Sequence, residues 1–80
     1  MERSHALTTI QEVTADVLGV EPAQVTEQAR FAEDLDADSL DLVELVMGFE
    51  ERFEIEVPES DLVGVTTVGS AVDLILAKVG

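Results

Sequence analysis

Hydrophobic residues near the start of the chain recur in steps of three and four positions. They are Leu7, Ile10, Val13, Val17 and Leu18. This spacing places them on one face of a helix, which we predict over about residues 4–18. Gly19 then stands where a left-handed residue commonly ends a helix, and Pro22 follows shortly after it.

The next helical pattern starts only near Ser39. Across residues 20–38 no period holds, apart from a single predicted turn at residues 22–25. Connecting segments this long are uncommon in a small domain and are often functional. We expect Phe31 and Leu35 to hold this loop against the core.

A second main helix is predicted from Ser39 to about Phe53. Asp38 precedes it as the N-cap, and Asp41 adds negative charge to its first turn. The sequence around Pro58 breaks this helix and starts a short helical turn that reaches about residue 63.

The last helix begins after Thr66-Thr67 and carries one apolar stripe, which consists of Val68, Val72, Ile75 and Val79. No segment alternates with period two for long enough to form a strand. The predicted fold class is therefore all-α, a small bundle of three main helices plus one short helix. Eighty residues leave room for one core only, so residues 1–80 form a single predicted domain, with 1–4 as a flexible tail.

The predicted second helix carries two apolar faces. At about 100° per residue, its core stripe consists of Leu42, Leu45, Val46, Phe49 and Phe53. Leu40, Val43 and Met47 fall on another side, and the acids around them are Glu44, Glu50, Glu51 and Glu54. One interpretation is a docking surface with apolar anchors, on which the acids steer a basic partner. The other is a wider helix packing that buries these three residues as well.

The charge of the chain is strongly one-sided, with 18 acidic residues against four basic ones and a net charge of −14. Phosphate backbones and anionic lipid surfaces are bound through Lys and Arg, so the balance disfavours nucleic-acid binding and adsorption to membranes. A partner that docks on this surface should be basic. Because Cys is absent, no disulfide, thiolate nucleophile or Cys-based metal site is available.

The sequence shows no signal for insertion into a membrane or passage across one. No stretch is long and apolar enough to span a bilayer. No secretory leader precedes the domain, so the cytoplasm is the expected compartment.

Acidic residues concentrate around Ser39, and calcium binding is one explanation for them. Asp34, Asp36 and Asp38 match the first ligand positions of an EF-hand loop. The glycine and the bidentate glutamate that such a loop also requires are missing at their positions. The sequence is therefore compatible with weak binding of divalent cations at the surface, but not with a calcium sensor.

Ser39 itself has three candidate roles. As a catalytic nucleophile it would need a base, but the only histidine is His5, and the surrounding acids oppose an oxyanion. We therefore predict that the chain is not an enzyme. Ser39 could instead cap the helix, or another protein could modify its hydroxyl. An attached phosphate would meet free backbone N–H groups and the positive end of the helix dipole.

The sequence at this point resembles the phosphopantetheine attachment region of the acyl carrier proteins. The resemblance rests on residues 31–47, Phe-Ala-Glu-Asp-Leu-Asp-Ala-Asp-Ser-Leu-Asp-Leu-Val-Glu-Leu-Val-Met, with Asp38-Ser39-Leu40 as the family's Asp-Ser-Leu signature. It continues through Glu50-Glu51-Arg52-Phe53, Val57-Pro58 and Thr66-Thr67-Val68. It covers nearly the whole chain and is weakest before Val20.

The resemblance implies a carrier of growing acyl chains, which are held as thioesters and delivered to the dissociated enzymes of fatty-acid synthesis. Ser39 would bear the covalent cofactor, 4′-phosphopantetheine, through a phosphodiester, and Asp38 would help to position the modifying transferase. The implied recognition residues are Leu40, Asp41, Val43, Glu44, Met47, Glu50 and Glu51. No metal site is implied.

The same resemblance names the expected partners. These are a phosphopantetheinyl transferase and the acyltransferases, ketosynthases and reductases that have basic docking patches. We expect a monomer that binds no nucleic acid and does not insert stably into membranes. A carrier of polyketide or of aminoacyl and peptidyl groups is the alternative within the class. An unmodified acidic adaptor that binds divalent ions weakly is the alternative outside it.

Two positions depart from an ordinary pattern. Asp36 stands where many members of the family have glycine, which adds an acid beside the attachment site. Gly48 lies inside the predicted second helix, where glycine costs about 1 kcal/mol relative to alanine. We expect Gly48 to permit a close approach of another helix or of the acyl chain.

Overall fold

Three α-helices and two short 3₁₀ segments make up residues 1–79, the part of the chain that the computed structural model describes, apart from the side chain of Glu59. The helices are α1 (Arg3–Leu18), α2 (Ser39–Phe53) and α3 (Val68–Val79), and the 3₁₀ segments are Pro22–Gln24 and Glu59–Gly64. Within these residues the only strand-like pairing is an isolated bridge between Arg30 and Thr67. The predicted all-α bundle is confirmed. No helix in this range is both long and apolar enough to cross a bilayer.

The start of α1 corrects one expectation. The helix already includes Arg3 and Ser4, two residues of the stretch 1–4 that we expected to be a flexible tail. Arg3 forms ion pairs with Glu27 and with Asp73, the latter at 2.6 Å between Nη1 and Oδ1. Those partners lie far away in sequence, so the pattern around Arg3 could not show them.

One hydrophobic core connects the three helices and the long loop. Its largest fully buried apolar side chains are Ile10, Leu45, Ile75, Val25, Val68 and Val72. Phe31 and Leu35 join this core from the loop, as predicted. The backbone also holds the loop in place, because the Phe31 amide donates to the Thr66 carbonyl at 3.1 Å. The start of α3 therefore fixes the segment that leads to Ser39.

Gly48 marks the closest approach between α1 and α2. A Cβ atom placed on Gly48 would lie 2.6 Å from Cγ1 of Val13, which is closer than real Cβ contacts allow. Valine is branched at Cβ and stiff, so it cannot easily move aside. The glycine is therefore required by the packing of the two helices, as the sequence suggested.

Thr14 supplies a stability prediction. Its side chain is completely buried on α1, and within residues 1–79 its hydroxyl has no hydrogen-bond partner. An unsatisfied buried polar group costs about 1–3 kcal/mol. We expect Thr14→Val to stabilise the fold by about 1 kcal/mol, which corresponds to about 4–8 °C in the melting temperature of a domain this size.

Thr9 provides the matched control for this measurement. It is also buried on α1, but its hydroxyl donates to the His5 carbonyl at 3.1 Å. Thr9→Val removes a satisfied hydroxyl and should give no increase in melting temperature. An equal increase for both variants would show that the unpaired hydroxyl of Thr14 is not the cause.

Candidate functional site

Ser39 is the first residue of α2, and its side chain is exposed to solvent. Within residues 1–79 its hydroxyl makes no hydrogen bond, because Asp38 is the residue that caps the helix. The interpretation of Ser39 as the cap is therefore wrong. The structure presents Ser39 as an accessible hydroxyl at the positive end of a helix dipole.

Asp38 and Asp41 form a reciprocal capping box at this helix start. The Asp41 amide donates to Oδ1 of Asp38 at 2.9 Å, and the Asp38 amide donates to Oδ2 of Asp41 at 3.1 Å. Two backbone donors are thereby satisfied by two carboxylates that the dipole also stabilises. The predicted cap and helix start are confirmed, and both carboxylates have a structural role in addition to any contact with a partner.

Arg30 binds two acids of the segment that precedes α2, residues 30–38, which we call the acidic loop. Its side chain and its amide both donate to Asp34, with the amide at 2.8 Å from Oδ2, and Nη1 lies 2.6 Å from Oε2 of Glu33. The guanidinium hydrogen bond, supported by the Arg30 amide, lowers the pKa of Asp34. Asp36 adopts a left-handed φ of 58°, a backbone conformation that glycine adopts more easily than other residues.

The calcium hypothesis finds no support in this geometry. Asp34 is engaged by Arg30. Within residues 1–79 no three carboxylate or imidazole side chains come together in a way that could hold a metal ion.

The apolar residues of α2 separate into two faces, as predicted. Leu40, Val43 and Met47 are 73%, 52% and 61% exposed, whereas Leu45 and Phe49 are buried in the core. We call these three exposed residues the recognition patch. The alternative in which wider helix packing buries them is wrong. Leu42 and Val46, which we expected in the core stripe, are only partly buried.

The acids near the recognition patch fall into two groups. Glu44 and Glu51 are exposed and form no ion pair within the described residues. Glu50 is half-buried, and its Oε2 accepts a hydrogen bond from the Val57 amide at 2.8 Å. Glu50 therefore holds the chain that follows α2. Glu44 and Glu51 remain available to a partner.

A cleft that sequence patterns did not reveal lies one helical turn after Ser39. It has a volume of about 180 Å³ and is lined by residues 30–33, Leu42, Val65 and Thr66. The walls come from three separate segments, and long-range backbone hydrogen bonds between the loop and the start of α3 bring two of them together. No local motif could have indicated it.

The site therefore consists of an exposed serine at the start of a helix, next to an apolar patch bordered by acids. Residues 8–75 match the family model described as the phosphopantetheine attachment site. The chain is 53% identical over 76 residues to an acyl carrier protein of Rubrobacter xylanophilus, covering 95% of this chain and 94% of that protein. A solved structure of the acyl carrier protein from Enterococcus faecalis is also similar, with a TM-score of 0.78 and 33% identity over 98% of this chain and 99% of that one.

The chain belongs to the acyl carrier protein family. The resemblance seen in residues 31–47 is thus confirmed, and with it 4′-phosphopantetheine as the group that the family carries.

The exposure of the recognition patch leads to a direct prediction. Met47→Ala removes a largely solvated side chain and should change the stability of the fold by less than about 0.5 kcal/mol. Leu45→Ala, only two residues away on the same helix but buried, should cost about 2–5 kcal/mol. Thermal or urea unfolding of both variants checks this, and comparable losses would place Met47 in the core.

Proposed function

We propose that Ser39 carries 4′-phosphopantetheine through a phosphodiester, and that the chain delivers acyl thioesters to the enzymes of fatty-acid synthesis. The observation that carries this proposal is the free, exposed hydroxyl of Ser39 at the start of α2. Ser39 is also the only hydroxyl-bearing residue between Thr26 and Ser60. No other side chain in the acidic loop or in α2 could accept the group.

The residues around Ser39 fit a phosphodiester. Oδ1 of Asp38 accepts a hydrogen bond from the Asp41 amide. The backbone N–H groups that precede Asp41 in α2 have no partner within the helix. These donors and the helix dipole favour a phosphate at this end. When bound, the prosthetic group supplies the thiol on which an acyl chain is held, which a chain without Cys cannot supply itself. The protein contributes a fixed and accessible position for that group.

The recognition patch and its acids fit a basic enzyme surface. A desolvated apolar centre with a charged rim is the usual arrangement of a protein interface. The proposed contact residues are Leu40, Asp41, Val43, Glu44, Met47, Glu50 and Glu51, and Asp38 adds the position next to Ser39. The proposed partners are the phosphopantetheinyl transferase and the acyltransferases, ketosynthases and reductases that act on the cargo. In this proposal the chain acts as a monomer in the cytoplasm and leaves all catalysis to its partners.

The proposal predicts the effect of replacing Ser39 by alanine, which removes only the hydroxyl oxygen of the side chain. Ser39→Ala should accept no group when expressed beside a phosphopantetheinyl transferase, while the parent protein gains the mass of one phosphopantetheine. Because Asp38 caps the helix, we expect the variant to unfold within about 0.5 kcal/mol of the parent. Intact-mass spectrometry and thermal unfolding check the two statements.

Ser60→Ala is the matched control, since Ser60 is exposed and lies outside α2. It should be modified as fully as the parent. A modified Ser39→Ala protein would refute the assignment of the serine. A parent protein that is never modified would favour an unmodified adaptor instead.

A second prediction concerns electrostatic docking. Glu44→Lys reverses an exposed charge beside the recognition patch and should leave folding intact. It should slow modification and loading by partner enzymes about threefold to tenfold at low salt, because opposite charges accelerate association. The deficit should shrink as salt rises, since the parent protein then loses its own advantage.

Glu56→Lys makes the same charge change beyond the far end of α2. Glu44 lies nine residues before the end of α2 at Phe53, or about 14 Å at 1.5 Å per residue, which exceeds the screening length of about 10 Å at 0.1 M salt. This control should be modified at nearly the parental rate. Equal slowing by both substitutions would mean that net charge, rather than the face of α2, governs docking.

A further inference from the structure

An open groove of about 220 Å³ runs between α1 and α2. Val13 and Val17 from α1 and Gly48 from α2 give it an apolar lining, and Asp16, Glu51 and Arg52 complete its walls. At Gly48 the two helices touch directly, because Cγ1 of Val13 packs where a side chain of Gly48 would stand, and this contact forms the floor of the groove. The volume is below the range of about 300–1,000 Å³ typical of small-molecule pockets, so the groove suits a single side chain better than a cofactor.

The charges of the groove are only partly compensated. Arg52 is already engaged, since its Nη2 lies 2.6 Å from Oε1 of Glu12. Asp16 and Glu51 are exposed, and neither forms an ion pair or side-chain hydrogen bond within residues 1–79. The groove therefore offers two free carboxylates beside an apolar surface.

Asp16 occupies a position that helix stability disfavours. It lies in the last turn of α1, where the negative end of the helix dipole opposes an acid and favours a base. That turn contains no basic residue that would compensate. A residue that breaks a local rule without a compensating contact points to a role outside the fold.

The groove is continuous with the recognition patch. On α2, Glu44, Gly48 and Glu51 follow each other at spacings of four and three, so they share one face. Met47 of the patch lies four residues before Glu51 of the groove, so these two residues are neighbours on the surface of α2. The edge of a partner that is seated on the patch thus reaches the groove.

We propose that this groove receives a cationic side chain, arginine or lysine, from the basic enzyme surface that docks on the recognition patch. Its aliphatic part packs against Val17 and Gly48, and its charge lies between the carboxylates of Asp16 and Glu51. Long cationic side chains bury apolar stems and form their strongest hydrogen bonds with carboxylates, which is the combination that the groove provides. The inference rests on the proposed function, because it takes the transferase that modifies Ser39 as the docked partner.

Asp16→Lys tests the inference with two readouts that should move in opposite directions. The new lysine fills the groove with its own charge and suits the end of α1, so the melting temperature should rise. Modification by the phosphopantetheinyl transferase at 0.1 M salt should become slower by about fivefold or more, measured as kcat/KM. A purely structural residue would not lose partner activity while gaining stability.

Glu2→Lys is the matched control at the other end of α1, where Glu2 is the residue before the helix. Glu2 is exposed, and its side chain makes no capping hydrogen bond. It precedes Asp16 by 14 residues, or about 21 Å at 1.5 Å per residue, which is beyond the screening length of about 10 Å. Its kcat/KM should stay within about twofold of the parent, because an exposed charge that makes no contact with the partner changes the binding free energy little.

The outcomes separate the two proposals. A parent protein that is modified, with Asp16→Lys slowed and Glu2→Lys unaffected, supports the groove. Equal rates for the two lysine variants overturn the groove and leave the proposed function intact. A parent protein that the transferase does not modify refutes the proposed function and the groove together. Circular dichroism of each variant confirms that it is folded, and Asp16→Asn replaces Asp16→Lys if it is not.

Discussion

The capping box of Asp38 and Asp41 is the interaction on which the site depends. It fixes the first residue of α2 and so determines the rotation of every later residue on that helix. Leu45 consequently faces the core while Met47 faces solvent. Because the side chain of Asp38 caps the helix, the hydroxyl of Ser39 is left free. A serine cap would have consumed the hydroxyl that the proposed function needs.

The position of the capping box is in turn fixed by contacts between distant parts of the chain. The loop before α2 is held by Phe31 and Leu35 in the core and by backbone hydrogen bonds to the segment that starts α3. Arg30 adds local ion pairs with two acids of the loop. An exposed ion pair alone contributes little, so the burial of Phe31 is the larger effect. The loop that leads to Ser39 is therefore fixed in position by the core and by backbone hydrogen bonds.

Local patterns predicted most of the architecture, and long-range contacts account for what they missed. Helical periodicity with the Asp38 and Gly19 caps placed the main elements and the two faces of α2, because those signals lie within a few residues. Arg3, in the early first turn of α1, forms ion pairs with residues 24 and 70 positions away. Two further features likewise depend on how separate segments pack. One is the hydrogen bond from the Val57 amide to the Glu50 side chain, and the other is the groove at Gly48. No one-dimensional pattern contains that information.

The few basic residues explain why the negative field persists at the proposed interface. The chain has four, and each forms an ion pair with an acid of the same chain; they are Arg3, Arg30, Arg52 and Lys78. Within residues 1–79 none of these pairs includes Glu44, Glu51 or Asp16. The positive charge is thus used to connect helices and loops, and the carboxylates around the recognition patch and groove stay uncompensated. Such a field attracts a cationic surface from a distance, and only a docked partner can neutralise it.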